Sequence, residues 1–474
     1  PPHGETLAAW ESALLTEAAG RLDFEDFVYT RHEPVESIEL AYYHEGISAT
    51  VTTRGVRSRT YRPDLFWQHY ALTTNGKTDA SAIYLEALSP EGKVLRRGGI
   101  DLYGDEETQT LAGLLSILLH PAPRRGFVLG YGSGMSAGAM LATPIEHIDI
   151  AEIERGMVEG ARFFAPLNHH AADDPRVTMI YNDGRNYLLA TDPRYDVISS
   201  YPSNPWIAGI GSLFTREFFA LARERLAPGG IFVQWFHLYE ISPENVKVVL
   251  RTFADAFPHV VVFHAKLTGV DLLLVGSEQP IDLSTTTLEE RMSLPTVRPL
   301  LDALHLHTPQ DLLADLILVE GDVRAYAGEG PLNTDDNAYL EFSTPKDLVA
   351  YRRFSPEEIV AEMRAAFSGL DPLALSSPEK SALVAGYLRA GEHALADALL
   401  AQLTDADPET IRTLTCTSRN LYETHDRLLA INERLWTEVP RLAPGRDLSA
   451  MASALRRGKH DLALEQLRAA FPDR

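Results

Sequence analysis

Short apolar runs alternate with longer amphipathic stretches between residues 105 and 350. This alternation is typical of a doubly wound α/β sheet, in which helices connect buried parallel strands. A helix is predicted at 108–119, and residues 285–350 are expected to form helices and loops that close over the sheet. The predicted strands are 127–129, 147–151, 177–181, 195–199, 231–235, 260–263 and 272–275.

The preceding segment is rich in β-branched and aromatic residues. The run 37–53, interrupted by a Glu-Gly turn signal, predicts a hairpin, and a strand near 68–74 is predicted to end at the turn Asn75-Gly76. We therefore expect a small β-rich domain at 35–104. Residues 1–34 begin with helix formers and are interpreted as an N-terminal helical appendage.

Strand patterns disappear beyond Ser355, where Ala and Leu dominate. The segment 388–396 recurs at 455–463, about twice the 34-residue tetratricopeptide period. We interpret 355–474 as an all-α, TPR-like helical-repeat domain that binds a protein partner or a second copy of the chain. Chance similarity between two Ala/Leu-rich hairpins is the alternative.

Charge and cysteine content exclude several classes of protein. The 474 residues carry 43 Lys+Arg against 66 Asp+Glu, a formal net charge of -23, and no basic cluster. We therefore expect no nucleic-acid partner. The negative charge could steer a cationic ligand or simply maintain solubility. A single cysteine, Cys416, excludes an internal disulfide and a cysteine-based zinc cluster.

The sequence also bears on location. It contains no run of about eighteen apolar residues, so we expect no membrane span. It starts with Pro1-Pro2-His3, without an initiator Met or the apolar region of a signal peptide, as a trimmed piece of a longer chain would. A cytoplasmic location is expected, or membrane association if the chain belongs to a longer fused protein.

A glycine-rich turn follows the first predicted strand of the α/β region. Gly130, Gly132 and Gly134 lie between that strand and a predicted helix at 135–141. Glycines allow a tight turn and a close approach of backbone to ligand. Glu152 ends the next strand about 22 residues later, where an acid can accept both ribose hydroxyls. The alternative for Glu152 is a solvated carboxylate at a strand end.

The next two strands also end in candidate site residues. Asp183 and Gly184 follow the third strand and would share the crevice at the carboxyl ends, where Asp183 could accept from an adenine amino group. The fourth strand leads into 200–209, a loop with two prolines and Trp206. This loop is either part of the reacting site or a rigid connector around a buried Trp206.

Taken together, these motifs resemble the spermidine synthase-like (polyamine aminopropyltransferase) family. The resemblance covers about 35–350 and is closest to the bacterial branch whose members are often fused to a membrane-spanning N-terminal half. The residues that carry it are Gly130-Tyr131-Gly132-Ser133-Gly134, Glu152-Ile153-Glu154, Asn182-Asp183-Gly184-Arg185, Pro202-Ser203-Asn204-Pro205-Trp206-Ile207-Ala208-Gly209, Leu213-Phe214-Thr215-Arg216-Glu217-Phe218-Phe219, Leu226-Ala227-Pro228-Gly229-Gly230, Gln234-Trp235 and Asn333-Thr334-Asp335-Asp336-Asn337-Ala338-Tyr339-Leu340-Glu341-Phe342.

The resemblance implies a class I S-adenosylmethionine-type Rossmann domain at 105–350, behind the small β-domain. In the family, the glycine loop holds decarboxylated S-adenosylmethionine, the acid of the second strand binds ribose, and the Asp-Gly acid binds adenine. Five positions match these roles, and Gly184 accompanies them: Gly130, Gly132, Gly134, Glu152 and Asp183.

The acceptor half of the family pattern is altered. The loop Asp-x-x-Asp-Pro, whose carboxylates hold and deprotonate the amine, is represented by Tyr201 and Asn204. The family Gln on the amine side falls on Asp79, and the Tyr-His or Tyr-Gln pair falls on Thr108-Gln109, with Gln109 expected on the cofactor side.

Other side chains could complete this half of the site. Asp335 and Asp336 of the closing segment could restore the lost carboxylates, or serve as turn and cap residues. The expected catalytic residues are thus Tyr201, Asn204, Asp79 and Asp335. Those expected to bind the substrate are Ser203, Trp206, His237, Tyr239 and Asp336.

Three hypotheses follow. The first is transfer of an aminopropyl-type group to an amine or other nucleophile from S-adenosylmethionine or its decarboxylated form. The second is a methyltransferase on the same cofactor domain. The third is a catalytically silent scaffold that binds partners through its helical tail. We expect no metal, because His169-His170 with Asp173-Asp174 lack the spacing of a metal site.

Overall fold

The structure is a computed structural model. The N-terminal appendage at 1–34 and the second copy of the proposed repeat lie outside the residues that it describes. The described residues are 35–59, 65–88, 94–98, 105–265, 269–304, 306–349, 354–368, 375–389 and 393–400.

The first described unit is an antiparallel sheet whose five strands lie in chain order. The hairpin predicted at 37–53 is confirmed, and so is the turn at Asn75 and Gly76, whose φ angles of 51° and 84° suit an Asn-Gly hairpin turn. Its strands are β1 (Val35–Glu45), β2 (Thr50–Arg59), β3 (Leu65–Thr74), β4 (Lys77–Leu88) and β5 (Val94–Gly98).

Eight further strands form the central sheet, in the order β13-β11-β12-β10-β9-β6-β7-β8. Neighbours from β8 to β10 run parallel, and those from β10 to β13 run antiparallel. The strands are β6 (Arg125–Leu129), β7 (His147–Ala151), β8 (Val177–Ile180), β9 (Tyr195–Ser200), β10 (Leu226–His237), β11 (His259–Ala265), β12 (Asp271–Ser277) and β13 (Leu316–Leu318).

Helices connect the strands of this sheet, and further helices follow them. Short 3-10 turns occupy Ala161–Phe164, Ala171–Asp173 and Ile210–Phe214. The described α-helices are α1 (Asp105–Leu118), α2 (Met135–Leu141), α3 (Arg155–Gly160), α4 (Ala165–Asn168), α5 (Gly184–Ala190), α6 (Arg216–Arg225), α7 (Pro243–Ala256), α8 (Thr285–Met292), α9 (Arg298–Ala303), α10 (Pro309–Leu313), α11 (Glu320–Ala327), α12 (Tyr339–Val349), α13 (Pro356–Ala366), α14 (Ser377–Arg389) and α15 (His393–Leu400).

The central sheet is buried on both faces. In β6, Val128 packs into the apolar cluster that contains α1, whereas Phe127 and Leu129 pack into the cluster that contains α6 and α7. Successive side chains of a strand point to opposite faces, so a strand covered on both sides is apolar without interruption. This explains the short unbroken runs in the sequence and confirms the predicted α/β class.

The strand order reverses at β6, which lies between β7 and β9. In open α/β sheets, ligands bind outside the carboxyl ends of the strands at such a switch point. The glycine turn follows β6 directly. The segments that follow β7, β8 and β9 begin at the same edge of the sheet. The fold thus brings the sequence-predicted cofactor residues together.

The part of the chain after residue 285 adds a strand that the sequence did not predict. Residues 285–350 are not only helices and loops, because Leu316–Leu318 adds strand β13 beside β11. A three-residue apolar run is too short to distinguish from a helix by period. In the tail, α14 and α15 pack against each other, but the repeat itself stays a prediction. None of the described helices has the length and hydropathy needed to cross a membrane.

The contact between α1 and β4 contains a buried carboxyl. Glu106 is 1% exposed, and its Oε1 accepts from the Ile83 amide at 2.6 Å. Its Oε2 has no hydrogen-bond partner among the described residues. Burial raises the pKa of Glu106 to about 8, so this carboxyl is protonated at neutral pH.

Glu106→Gln tests this contact between α1 and β4. Because the pKa of Glu106 is higher in the folded chain, its contribution to stability is complete below pH 4.5 and is lost as the pH rises through about 8. We expect the Tm of the native protein, relative to that of the Gln variant, to fall across this window. A Tm difference between the two proteins that is constant from pH 5 to 9 would contradict this assignment.

Candidate active site

A cavity of about 310 Å³ lies at the carboxyl edge of the central sheet. Its lining follows the strand order, from Asp183 after β8 and Glu152 after β7, through Gly130 and Tyr201, to Asp271 at the start of β12. We call the part beside β6, β7 and β8 the donor side, and the part beside β10, β12 and β4 the acceptor side.

The glycine turn has the open backbone that the sequence predicted. Gly130, Gly132 and Gly134 have φ angles of 87°, 54° and 79°, which favour glycine. A Cβ on Gly132 would meet no atom within 4 Å, so this backbone is free for close approach by a ligand. A Cβ on Gly134 would lie 2.4 Å from the Tyr131 ring, so this glycine serves packing and does not line the cavity.

Glu152 ties the glycine turn to β7. Its carboxylate accepts from the backbone N–H groups of Tyr131 at 2.8 Å and Glu154 at 2.9 Å. Burial raises the pKa of Glu152, and these backbone hydrogen bonds act in the opposite direction. The side chain lines the cavity and also fixes the turn, so a role in donor binding would be combined with a structural one.

Asp183 and Gly184 lie beside Glu152 on the donor side. Asp183 caps α5, its Oδ1 accepting from the Asn186 amide at 2.7 Å. A Cβ on Gly184 would lie 2.6 Å from the Leu129 side chain, which explains why α5 starts with glycine. Both residues stand where the sequence placed them, on the donor side.

The turn between β1 and β2 closes the donor side. Ser48 donates to Glu154 Oε2 from its amide at 3.2 Å and from its hydroxyl at 3.0 Å. Ser48, Ala49 and Glu154 all line the cavity. The N-terminal sheet is therefore part of the donor side, a contribution that sequence motifs did not indicate.

Asp79 was predicted for the acceptor side and lies there. Pairing between β3 and β4 shifts by one residue at this point, from Thr73 opposite Thr78 to Leu72 opposite Ala80, which leaves Asp79 as the extra residue of a β-bulge. Bulges redirect side chains beside active sites. Its Oδ1 accepts from Lys77 Nζ and Ser203 Oγ, both at 2.9 Å.

Two further carboxylates line the acceptor side, and sequence reasoning missed both. Asp105 opens α1 and accepts from Ser81 Oγ at 2.8 Å, and burial raises its pKa above the usual value. Asp271 opens β12, is 4% exposed, and accepts from Thr108 Oγ1 at 2.8 Å and Trp235 Nε1 at 3.1 Å. Both acids begin an element, so a sequence pattern marks them as boundary residues.

Some residues of the loop after β9 line the cavity, and another supports a residue that lines it. Tyr201 lines the cavity, and burial raises its pKa further above that of an ordinary tyrosine, so it stays protonated. Ser203 lines the cavity as well. Asn204 is fully buried outside the lining and donates to the hydroxyl of Tyr239 at 3.1 Å, so it acts on the cavity only through Tyr239.

Trp206 and His237 lie behind the cavity wall. Their rings meet edge to face with centroids 4.6 Å apart, and His237 packs on Tyr239 at the same distance. Burial holds the pKa of His237 well below its usual value, so the imidazole is neutral. Of these three expected substrate-binding residues, Tyr239 alone lines the cavity.

The two acids of the closing segment lie elsewhere. Asp335 pairs with Arg185 and accepts from Thr215 Oγ1 at 2.8 Å, and Asp336 is exposed. Neither lines the cavity. The segment instead fixes the loop after β9 through Asn333, whose side-chain amide donates to the Gly211 carbonyl at 3.1 Å. The expectation that this segment supplies the missing carboxylates is replaced by an anchoring role.

The remaining residues that the sequence singled out are Gln109 and the pair His169-His170. Gln109 lines the cavity, accepts from Ser133 Oγ, and has a buried Nε2 without a partner among the described residues. His169 and His170 both have left-handed backbone, with φ of 52° and 56°. Within the described part of the chain, no three His, Cys, Asp or Glu side chains are grouped to hold a metal ion.

An open sheet that reverses its strand order beside a glycine turn defines a doubly wound, Rossmann-like α/β protein. Comparison with known proteins makes the class more specific. Residues 106–268 match the family described as the spermine/spermidine synthase domain. Over 198 residues the chain is 30% identical to the polyamine aminopropyltransferase of Streptococcus pneumoniae, covering 40% of this chain and 69% of that protein. The chain belongs to this spermine/spermidine synthase family.

Other similar proteins carry different names. A spermidine synthase of Dictyostelium discoideum is 30% identical over 152 residues, which cover 31% of this chain and 51% of that protein. Putrescine N-methyltransferase 2 of Nicotiana attenuata is 28% identical over 244 residues, covering 47% and 65%. The chain thus spans about half to two thirds of the length of these two relatives.

Solved structures also match. A crystal structure of a probable spermidine synthase from Corynebacterium glutamicum has 18% sequence identity and a TM-score of 0.41, over 63% of this chain and 97% of that one.

Gly46→Ala tests the closure of the donor side by the N-terminal sheet. A Cβ at Gly46 would lie 2.0 Å from the Glu154 carboxylate, so either the turn or the Glu154 side chain must move, and we expect the bonds between them to be lost. We expect a loss of about 1–3 kcal/mol in the free energy of unfolding, the usual cost of overpacking. Chemical denaturation measures it. The control is Gly321→Ala in α11, where a Cβ meets nothing within 4 Å; equal stability of the two variants would contradict the contact.

Proposed function

We propose that this chain transfers an alkyl group, in the first instance aminopropyl, from a sulfonium donor derived from S-adenosylmethionine to an amine. One observation carries the proposal: a single cavity joins the open glycine turn and Glu152 to three carboxylates, Asp79, Asp105 and Asp271. An adenosyl donor fits the first set and a cationic amine fits the second. Membership of the spermine/spermidine synthase family supports the same assignment.

The donor side suits an adenosyl group. The free space at Gly132 admits a ligand against the backbone, Glu152 can accept from ribose hydroxyls, and Asp183 can accept from an adenine amino group. The donor supplies a carbon activated by an adjacent positive sulfur. Beyond binding, the protein must hold the acceptor in line with that carbon and remove its proton.

Removal of the proton requires a base, because a protonated amine has no lone pair for attack. Tyr201 and Asn204 cannot serve as ordinary bases, whereas Asp105 is a carboxylate with a raised pKa in the same cavity. We assign it as the base: its carboxylate takes the ammonium proton, the nitrogen attacks the carbon, and the carbon–sulfur electron pair remains on sulfur. Asp271 would orient the acceptor.

Methyl transfer to an amine is the second candidate. It is favoured by the likeness to putrescine N-methyltransferases and by Nε2 of Gln109. This amide donor has no partner in the part of the chain that the structure describes and could bind the carboxylate of intact S-adenosylmethionine. The scaffold hypothesis has weaker support, since no described residue of α13, α14 or α15 lines the cavity.

Calorimetry with S-adenosylmethionine and with its decarboxylated form tests donor binding. We expect the decarboxylated form to bind, and Glu152→Gln to weaken it about tenfold or more, because the variant loses a charged hydrogen-bond acceptor. Glu146→Gln is the matched control, since Glu146 is exposed and pairs with Arg124. If neither donor binds the native protein, the enzyme proposal fails; preference for the intact form would favour methyl transfer.

Asp105→Asn tests the assigned base. Mass spectrometry of the products formed from a polyamine panel gives the acceptors, and the best of these is used to measure rates. We expect kcat to fall roughly 10²-fold, a modest loss for general base catalysis. In the native protein, activity should fall with decreasing pH through a pKa above the ordinary 3.8 of aspartate. Unchanged kcat in Asp105→Asn, with the same acidic limb, would remove Asp105 from this role.

A further inference from the structure

The acceptor side contains a positive charge of the protein itself. Lys77, the first residue of β4, lies directly after the turn at Asn75 and Gly76 and is the one Lys or Arg among the described residues that line the cavity. The side chain is 28% exposed, so its ammonium is partly withdrawn from solvent. A site for multiply charged amines has no evident need for such a group.

The ammonium of Lys77 is bound to Asp79. Nζ donates to Asp79 Oδ1 at 2.9 Å and to the carbonyl of Thr78 at 3.1 Å. Ser203 Oγ donates to the same Asp79 oxygen at 2.9 Å. One of the three acceptor-side carboxylates is therefore already paired within the protein, and an incoming ammonium would have to displace Lys77 to use it.

Among the described residues, the other two carboxylates of the acceptor side, Asp105 and Asp271, also line the cavity and are not paired with Lys77 in a salt bridge. Burial raises the pKa of Asp105, and the positive charge of Lys77 acts against this rise, which places the two side chains within electrostatic reach. Asp271 lines the same cavity, where its carboxylate accepts from Thr108 and Trp235. With two of its three N–H groups used by Asp79 and Thr78, Nζ retains one for an oxygen atom of a ligand.

We propose that Lys77 determines acceptor specificity by selecting an amine whose far end bears an oxygen group instead of a second ammonium. This inference rests on the proposed function. The acceptor nitrogen would lie between Asp105 and Asp271, and its far end beside Lys77 would be a hydroxyl or a carboxylate. A diamine would place like charges together at that end, which disfavours binding.

Acceptor binding tests the inference separately from turnover. The protein is saturated with 5′-methylthioadenosine, the nucleoside that aminopropyl transfer would release, and titrated calorimetrically with three acceptors of equal carbon number. These are 1,4-diaminobutane, 4-aminobutan-1-ol and 4-aminobutanoate. We expect the native protein to bind an oxygen-bearing amine about tenfold or more tightly than the diamine, the scale of an unfavourable like-charge contact. The better of the two distinguishes hydroxyl from carboxylate.

Lys77→Met removes the charge and keeps an apolar side chain. We expect the preference to reverse, with the diamine gaining about tenfold and 4-aminobutanoate losing a similar factor. Lys247→Met is the control, because Lys247 pairs with Glu362 outside the cavity and its loss should leave the order of affinities unchanged. Nucleoside binding by each variant verifies that its donor side is intact.

The outcomes separate the two claims. If the native protein prefers the diamine, the inference is overturned while the proposed function stands, and this result requires no variant to fold. An unchanged order in Lys77→Met with nucleoside binding retained also overturns it. If none of the three amines binds to the native protein, this inference and the amine-transfer proposal both fail.

Discussion

The cavity depends on one buried interaction, the acceptance of backbone N–H groups by the Glu152 carboxylate. The glycine turn has little side-chain volume to fix it, and left-handed φ at three glycines makes it costly to order. Bonds from Tyr131 and Glu154 to Glu152 hold the turn and the end of β7 in one arrangement. Glu154 is positioned in this way, and its carboxylate accepts from Ser48 of the loop between β1 and β2.

Charge is distributed unevenly around the cavity. The donor side holds Glu152 and Asp183, whose oxygens accept from backbone N–H groups, and these bonds fix the position of the two side chains. The acceptor side holds acids bonded to hydroxyls, an indole and one lysine, each of which can yield to a ligand. Fixed side chains on the donor side suit one ligand of constant shape. Side chains that can change partner on the acceptor side suit amines of different shape. The total charge of the chain, -23, indicates neither.

Sequence patterns predicted the fold, and they predicted most of the residues that meet at the donor side, because both rest on local signals; the binding of a donor there stays a prediction. Unbroken apolar runs gave the buried strands, and the glycine turn, Glu152 and Asp183 each follow a strand. The acceptor side was predicted only in part. Asp271 reaches the cavity because β12 runs antiparallel to β10, which places its start opposite His237, and sequence alone does not show that pairing. The expectation that Asp335 supplies a carboxylate to the cavity does not hold for the same reason. Asp335 pairs with Arg185, which is 150 residues away in the chain, and sequence alone does not show that pairing.

The bulge at Asp79 has a consequence for how this protein can diverge. Beyond it, Ala80, Ala82 and Tyr84 of β4 are buried. Removal of Asp79 would restore regular pairing, with Thr78 still opposite Thr73 and Ala80 still opposite Leu72, so these side chains would stay on the buried face. Removal of a paired residue would instead turn them to the opposite face. The acceptor side can therefore change in this strand by two routes that keep its register, namely exchange of side chains at 77–79 and loss of the bulge that redirects Asp79.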